Sequence, residues 1–137
     1  MADLLEECIE ALGETIEVFE GEKREELLNN FENSYPITTW ARIDWDKIPN
    51  YRDIYNINEI EPYLYNRYNL HSNIVYIIWD EASLPIIKTN LYQILQVIDD
   101  VTAVSFDTWI YSPDVGYVIE YYHEGEVRIG DMTDVCE

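Results

Sequence analysis

The chain has 137 residues, of which 28 are Asp or Glu and eight are Lys or Arg, so its formal net charge at pH 7 is −20. Nucleic acids and anionic membrane surfaces repel such a chain, because binding to either depends on Lys and Arg side chains. An acidic chain can be disordered, but twelve Tyr, four Trp and three Phe are typical of a folded protein. We therefore expect a folded, soluble protein with a basic partner, unless the charge serves solubility alone.

The first half of the chain is predicted to contain three helices separated by a strand, a β-favouring stretch and a loop. Asp3 and Glu6 have the spacing of a capping box, and Gly13 suits the position just after the end of the first helix. Sequence patterns then predict a strand at 15–19, a helix at 22–33, β-favouring residues at 38–43, a loop at 44–56 and a short helix at 58–69.

The second half is predicted to form most of a sheet. The run NIVYIIW at 73–79 is almost entirely apolar, which is typical of a central strand covered on both faces. Apolar residues then recur at helical spacing and predict the longest helix at about 88–102. The segments SFDTWIYS, GYVIEYYH and EVRIG, separated by turn residues, predict an antiparallel meander. The prediction is one α+β domain over 1–137, with a mixed or antiparallel sheet packed against about four helices.

The cysteines and the amino-terminal residues help to predict the cellular compartment of the protein. Cys8 lies on the apolar face of the first predicted helix, which favours a buried thiol. A bridge to Cys136 stays open, but a single pair is weak support for an oxidising compartment. The first residues, MADLLEECIEALGE, are acidic where a signal peptide is basic, and no apolar run approaches the ~18 residues of a membrane span. We expect a cytoplasmic protein.

The sequence contains none of the common catalytic or cofactor-binding motifs. It lacks a glycine-rich phosphate loop, an HExxH motif, paired CxxC motifs and an EF-hand loop, so we expect no cofactor and no metal. His71 precedes the apolar strand, and His123 stands beside Glu124 at the end of a strand. A histidine–carboxylate pair can transfer protons, although histidines beside acids are also common in turns.

Two pairs of adjacent acids occupy positions that bear on whether negative charge has a function there. Asp80 and Glu81 follow the apolar strand directly, and open α/β sheets place functional groups at the ends of central strands. The alternative is that this pair only ends the strand in water. Asp99 and Asp100 come near the end of the long predicted helix, where the helix dipole disfavours each acid by roughly 0.3–1 kcal/mol. That position indicates a requirement for negative charge.

The carboxy-terminal meander supplies the candidate binding surface. Strand alternation places carboxylates and aromatic rings together on one face. We expect six residues of this surface to contact a partner: Asp107, Trp109, Tyr111, Glu120, Tyr122 and Glu124. Aromatic rings provide buried contact area, and acids attract Lys and Arg. The alternative is that the acids form a solvated face and that Trp109 packs under a helix.

The string WARIDW at 40–45 places two tryptophans on either side of an arginine. In an extended segment Arg42 and Asp44 share a face, so they could pair, or Arg42 could pair with another acid. We expect Trp40 and Trp45 to pack in the core and Arg42 to make an internal ion pair or hydrogen bond. WARIDW is therefore predicted to belong to the scaffold.

The first third of the chain resembles a known family. The helix LLEECIEALG, the Tyr-Pro step of NSYPITTW and the segment WARIDWDKI are similar to the front half of immunity proteins encoded beside the toxins of bacterial contact-dependent growth inhibition. The likeness covers about Leu4 to Ile48. Its most specific element is W-x-R-I-D-W, in which this chain has Ala41 where a glycine is expected. The resemblance implies a non-enzymatic inhibitor that binds the carboxy-terminal toxic domain of a delivered effector. Many such effectors are nucleases, including RNases that cleave tRNA.

The charge of the chain favours the same function. A nuclease needs a basic cleft to hold phosphates, and an acidic protein can plug that cleft or cover its rim. Complementary charge would also speed association, and self-repulsion favours a monomer within a 1:1 complex.

Two other classes of function stay open. One is an acidic mimic of nucleic acid that inhibits DNA-binding or restriction proteins. The other is a small hydrolase with His123, Glu124, Asp80 and Glu81 as its candidate residues. A hydrolase requires a pocket with convergent carboxylates and a perturbed pKa.

Overall fold

The computed structural model describes residues 3–38, 42–70 and 73–133. The predictions for Trp40, His71 and Cys136 concern residues outside these ranges.

In the described part of the chain, seven strands form one sheet. They are β1 (Glu17–Phe19), β2 (Asn50–Ile54), β3 (Ile74–Trp79), β4 (Ile86–Asn90), β5 (Thr108–Ser112), β6 (Tyr117–Tyr121) and β7 (Val127–Asp131). The strand order is β1-β4-β3-β5-β6-β7-β2, and every neighbouring pair is antiparallel. The α+β class is confirmed, as is the meander, because β5, β6 and β7 are successive neighbours.

Helices pack on both faces of this sheet. The α-helices of the described residues are α1 (Leu4–Leu12), α2 (Gly21–Ser34), α3 (Ile60–Tyr68), α4 (Leu91–Gln96) and α5 (Ile98–Thr102). Short 3₁₀ helices at Trp45–Lys47 and Ile57–Glu59 precede β2 and α3. The predicted capping box is present at the start of α1, where the Asp3 carboxylate accepts a hydrogen bond from the Glu6 backbone N–H at 2.8 Å.

The sheet separates two layers of core. The first layer joins α1, α3, α4 and α5 to one face, with these buried side chains among its members: Cys8, Leu12, Leu64, Ile94, Val101, Ile77, Ile110 and Ile119. The second layer joins α2 and the segment after it to the other face, and it includes Leu27, Phe31, Ile43, Trp45, Ile48, Ile78, Trp109, Tyr111 and Val118. Strand β3 lies between β4 and β5 with both faces covered, as its apolar sequence predicted.

The predicted loop at 44–56 is wrong in part, because it contains β2. This strand lies at the edge of the sheet and pairs only with β7 in the described structure. An edge strand can keep polar side chains, since much of it faces water. Asp53 pairs with Arg128 across the two strands at 2.7 Å, so residues with weak β preference still fix the register.

The predicted helix at 88–102 is also wrong in part. Its first residues belong to β4, which is rich in β-branched residues and pairs with both β1 and β3. The rest is interrupted at Val97, whose backbone leaves the helical region at φ −129° and ψ 34°. Asp99 and Asp100 therefore lie in the first turn of α5, where the helix dipole favours acids. Their position gives no sign of a functional requirement.

The Cys8 thiol is buried, as predicted. Burial, and secondarily the charge of Asp100, raise the pKa of Cys8 to about 12. The thiol therefore stays protonated and unreactive at neutral pH.

Asp131 holds together the end of the sheet where β7 finishes. Its carboxylate is 1% exposed and accepts hydrogen bonds from Arg67 Nε at 2.7 Å, from the Tyr68 hydroxyl and from the Thr133 backbone N–H at 2.9 Å. Burial opposes the charged form, but the hydrogen bonds from Arg67, Tyr68 and Thr133 outweigh it and lower the pKa of Asp131. The ionised carboxylate therefore stabilises the fold.

Replacing Asp131 by Asn (D131N) is expected to reduce the free energy of unfolding at pH 7 by about 2 kcal/mol, because Arg67 loses its partner. The pKa is lower in the folded state, so this stabilisation is present above the unfolded pKa of about 3.9 and is lost as the pH falls through the folded pKa. Urea unfolding at pH 7 and pH 3 measures the difference, with the exposed Asp114→Asn as control. An equal D131N deficit at both pH values would contradict this account.

Candidate partner-binding surface

A buried carboxylate lies at the centre of the second core layer. Glu120 is 1% exposed. Its two oxygens accept four hydrogen bonds, from Arg42 Nε at 2.9 Å, Trp45 Nε1 at 2.8 Å, the Ile43 backbone N–H at 2.9 Å and Trp109 Nε1 at 3.0 Å. A buried charge is tolerated when it is paired and hydrogen-bonded in this way. The carboxylate therefore joins the 42–45 segment to β5 and β6.

The contacts of WARIDW confirm its scaffold role for the residues that the structure describes. Arg42 pairs with Glu120, so the alternative of an Arg42–Asp44 pair does not hold. Trp45 is buried and packs over Gly130 of β7, where an added Cβ would lie 2.9 Å from Trp45 Cζ3 and 2.5 Å from the Asn50 backbone oxygen. Gly130 thus leaves room for the Trp45 ring to lie directly against the sheet.

Four of the six predicted contact residues are buried in the described structure. Asp107, Trp109, Tyr111 and Glu120 are between 1% and 6% exposed. Tyr122 is half-buried and Glu124 is exposed. The alternation of faces along β5 and β6 is as predicted, but α2 and the 42–48 segment cover the face that carries the acids and rings. Whether any of the six residues contacts a partner stays a prediction.

The buried aromatic rings pack against α2. The Phe31 ring centroid lies 5.4 Å from that of Trp109 and 5.3 Å from that of Tyr111. The Tyr111 hydroxyl lies 3.3 Å from Ser34 Oγ. The alternative that Trp109 packs under a helix is therefore the observed one.

Arg42 connects the buried carboxylate to the protein surface. Its guanidinium also pairs with the half-exposed Glu126 and lies 3.8 Å from the centroid of the Tyr122 ring. Hydrogen bonds and charge from Glu120 and Glu126 outweigh the effect of burial and raise the pKa of Arg42, so it stays a cation. Tyr122 and Glu126 are thus held in place by the same group that satisfies Glu120.

The antiparallel order brings several predicted residues to one end of the sheet. Strand β3 ends there, β5 begins there and β6 ends there. We call this region the acidic end and define it by these residues: Asp80, Glu81, Phe106, Asp107, Tyr122, His123, Glu124 and Glu126. The Asp80 N–H donates to the Asp107 backbone oxygen at 3.1 Å, and the Asp107 carboxylate accepts the His123 backbone N–H at 2.8 Å.

The acidic end concentrates negative charge around one histidine. His123 Nδ1 lies 3.0 Å from Asp107 and its Nε2 lies 3.8 Å from Glu124. Burial, together with the charges of Asp107 and Glu81, raises the pKa of Asp80. Carboxylates that repel one another in this way favour the approach of a cation.

A cleft of about 650 Å³ opens beside these residues, between the end of α5 and the β6–β7 turn. Its lining includes Glu81, Phe106 and His123. Phe106 is 84% exposed, and its ring lies 6.0 Å from the His123 ring. Phe106 lies just before β5 begins.

The cleft meets some of the conditions for a hydrolase and fails another. Its lining includes His123, and Asp80 close by has a raised pKa. Convergent carboxylates, which a hydrolase also requires, are not found there, because Glu81 is the one acid among the described residues that line the cleft. Among the described residues, no cluster of three or more His, Cys, Asp or Glu could hold a metal ion.

A comparison with models of known protein families gives a match. A family model described as "CdiI immunity protein EcoliA0-like" matches residues 2–130. No curated protein sequence matches the chain. The family model extends the likeness, which the sequence placed at about Leu4 to Ile48, over nearly the whole chain. None of the helices in the described ranges is long and apolar enough to cross a membrane.

Replacing Glu120 by Gln (E120Q) is expected to reduce the free energy of unfolding by about 3 kcal/mol, because an amide offers one acceptor to four donors and its NH₂ faces two of them. Glu126→Gln removes the other carboxylate that pairs with Arg42 and is the matched control. It should change stability by less than about 1 kcal/mol, because Glu126 is half-exposed. Urea unfolding followed by tryptophan fluorescence measures both. Equal losses in the two variants would contradict the structural role of Glu120.

Proposed function

The chain belongs to the CdiI immunity protein family, EcoliA0-like, and we propose that it binds and neutralises one cognate toxin domain through its acidic end. Membership of this family implies an immunity function directed at a toxin. The family match does not specify the toxin's activity or the contact surface, and the proposal supplies both from the charge and geometry of the chain.

The charge of the chain supports a basic toxin, and a nuclease is the class of toxin that best fits. A nuclease must bind phosphates, so its active cleft carries Lys and Arg. This chain has a net charge of −20, and the acidic end groups five carboxylates at one end of the sheet. The observation that carries the proposal is this clustering of acids beside the exposed ring of Phe106.

The exposed residues of the acidic end are the proposed contacts. Of the six predicted contacts, we retain Tyr122 and Glu124, and we add Phe106, Glu81 and Glu126. An exposed aromatic ring provides area that becomes buried in a complex, and the surrounding acids pair with basic groups.

The buried predicted residues are assigned a supporting role. Asp107 fixes the backbone and ring of His123. Glu120 fixes Arg42, which lies over the Tyr122 ring. Trp109 and Tyr111 hold α2 against the sheet. Preformed contacts of this kind reduce the entropy lost on binding.

Inhibition then needs no chemistry from this protein. An acidic surface attracts a basic toxin over a long distance, and such steering raises association rates toward ~10⁸–10⁹ M⁻¹s⁻¹ at low salt. The bound protein then plugs or covers the toxin's cleft. We propose a cytoplasmic monomer within a 1:1 complex, without a cofactor.

The alternative of an acidic nucleic-acid mimic predicts a different partner range. A mimic would bind many DNA-binding proteins, whereas an immunity protein binds one toxin. Membership of the immunity family favours the single toxin. The hydrolase alternative is less well supported, because Glu81 is the one acid among the described residues that line the cleft beside His123.

Reversing two exposed acids, Glu81→Lys with Glu124→Lys, is expected to slow association with the toxin domain encoded by the neighbouring gene by about tenfold or more at low salt. The dependence of the association rate on salt should also become flatter, because fewer charge pairs are screened. Stopped-flow or surface plasmon resonance at several salt concentrations measures both effects.

The matched control is Asp46→Lys with Asp114→Lys, which changes the net charge equally at exposed positions outside the acidic end. The association rate of the control should fall much less than that of the Glu81→Lys, Glu124→Lys variant. Equal slowing in both double variants would show that the association rate depends on net charge and not on the position of the acids in the acidic end.

A further inference from the structure

A second, smaller cleft lies on the other side of the Asp80–Glu81 turn. It runs between α2 and that turn and has a volume of about 220 Å³. We call it the α2 cleft. Its floor includes Leu28, Phe31 and Trp109, and Glu32 and Asp80 are among the acids that line it. An apolar floor with an acidic rim thus adjoins the acidic end.

One wall of the α2 cleft is fixed by an arginine. Arg24 is 7% exposed, and its Nε donates to the Leu84 backbone oxygen at 2.6 Å. Its Nη1 pairs with Glu25 at 2.6 Å, and its Nη2 lies 3.4 Å from the Glu81 backbone oxygen. These bonds tie the β3–β4 turn to α2, so the cleft is formed before any partner binds.

The charges that line the α2 cleft do not balance. Glu25, Glu32, Asp80 and Glu81 line it together with one cation, Arg24, which pairs with Glu25. In the described part of the chain, no salt bridge reaches Glu32, Asp80 or Glu81. Burial and the charges of Asp107 and Glu81 raise the pKa of Asp80. A cation placed beside Asp80 would relieve this repulsion.

The size and lining of the α2 cleft select its occupant. At about 220 Å³ it is smaller than the ~300–1,000 Å³ typical of small-molecule sites, so it has room for one long side chain. The methylene stem of Lys or Arg packs well on apolar residues while its charged end reaches acids.

We propose that the α2 cleft receives one Lys or Arg side chain of the toxin, with its stem against the partly exposed Leu28 and Ile37 and its charge between Glu32 and Asp80. This inference rests on the proposed function and adds to it. The acidic end attracts the toxin broadly, whereas the α2 cleft accepts one side chain at one position. Buried basic residues in such pockets contribute much of the affinity of protein complexes.

The first test removes the charges of the rim. Glu32→Gln with Asp80→Asn is expected to weaken equilibrium binding of the toxin domain by at least about tenfold, as for the loss of a central contact. The matched control is Glu61→Gln with Asp114→Asn, which removes one Glu and one Asp charge at exposed positions away from the cleft. The control should change the dissociation constant by less than about threefold.

The second test fills the cleft without changing its charge. Ala82 is exposed and lines the α2 cleft, so Ala82→Phe places a ring in it. Ser83, the next residue, is also exposed but does not line the cleft, so Ser83→Phe is the matched control. Ala82→Phe should weaken binding by at least about tenfold, and Ser83→Phe should not. Thermal unfolding checks that each variant is folded.

The third test identifies the side chain on the toxin. Each exposed Lys and Arg of the toxin domain is replaced by Ala, one at a time. Each toxin variant is then titrated against the natural protein and against the Glu32→Gln, Asp80→Asn variant. Replacing one particular basic residue should weaken binding to the natural protein by at least about tenfold. The same replacement should have little effect on binding to the Glu32→Gln, Asp80→Asn variant, because the two changes remove the same contact.

The outcomes separate the two proposals. If the natural protein does not bind or silence the toxin, the proposed function fails and the inference with it. If the natural protein binds but the rim and filling variants bind equally well, or no basic residue couples to the rim, the proposed function stands and the inference is wrong.

Discussion

The structure depends on how one buried carboxylate is satisfied. Glu120 is 1% exposed in a chain that already carries a net charge of −20, so its ionised form requires donors from several directions. Two tryptophan N–H groups, one backbone N–H and the Arg42 guanidinium provide them. These donors come from β5 and from the 42–45 segment, so the carboxylate fixes a segment with little regular structure over the second face of the sheet. Arg42 then extends from this buried group to the surface at Tyr122 and Glu126.

The position of the acidic end follows from the antiparallel topology. Because β3, β5 and β6 are neighbours that alternate in direction, the residues after β3, before β5 and after β6 meet at one end of the sheet. Acids far apart in sequence, such as Asp80, Asp107 and Glu124, therefore come together beside His123. The Asp80–Glu81 turn separates two clefts, with Glu81 lining both. Grouping like charges in this way costs stability, which the hydrogen-bonded core must offset, and it gives this end of the sheet a strongly negative surface.

The sequence predicted the local features well and the long-range ones less well. Alternation assigned the faces of β5 and β6 correctly, and the capping box at Asp3 and Glu6 was found from spacing alone. Alternation cannot tell which faces are covered, since α2 and the 42–48 segment reach the sheet through contacts distant in sequence. Trp109 and Glu120 were therefore predicted to lie on a contact surface, whereas both are buried. Strand β2 was missed because its polar residues are stabilised by pairing with β7, and no local pattern shows that pairing. The 84% exposure of Phe106 was not predicted either, because strand alternation does not show whether a ring before the start of a strand is covered.

The central claim is that the acidic end is the surface that meets the toxin. Hydrogen–deuterium exchange of this protein, alone and in complex with its cognate toxin domain, tests it most directly. The account predicts that binding slows exchange at the backbone amides of 80–82, 104–107 and 122–126. It also predicts little change around Arg67 and Asp131 at the opposite end of the sheet. Slower exchange at that opposite end, with none at the acidic end, would contradict it.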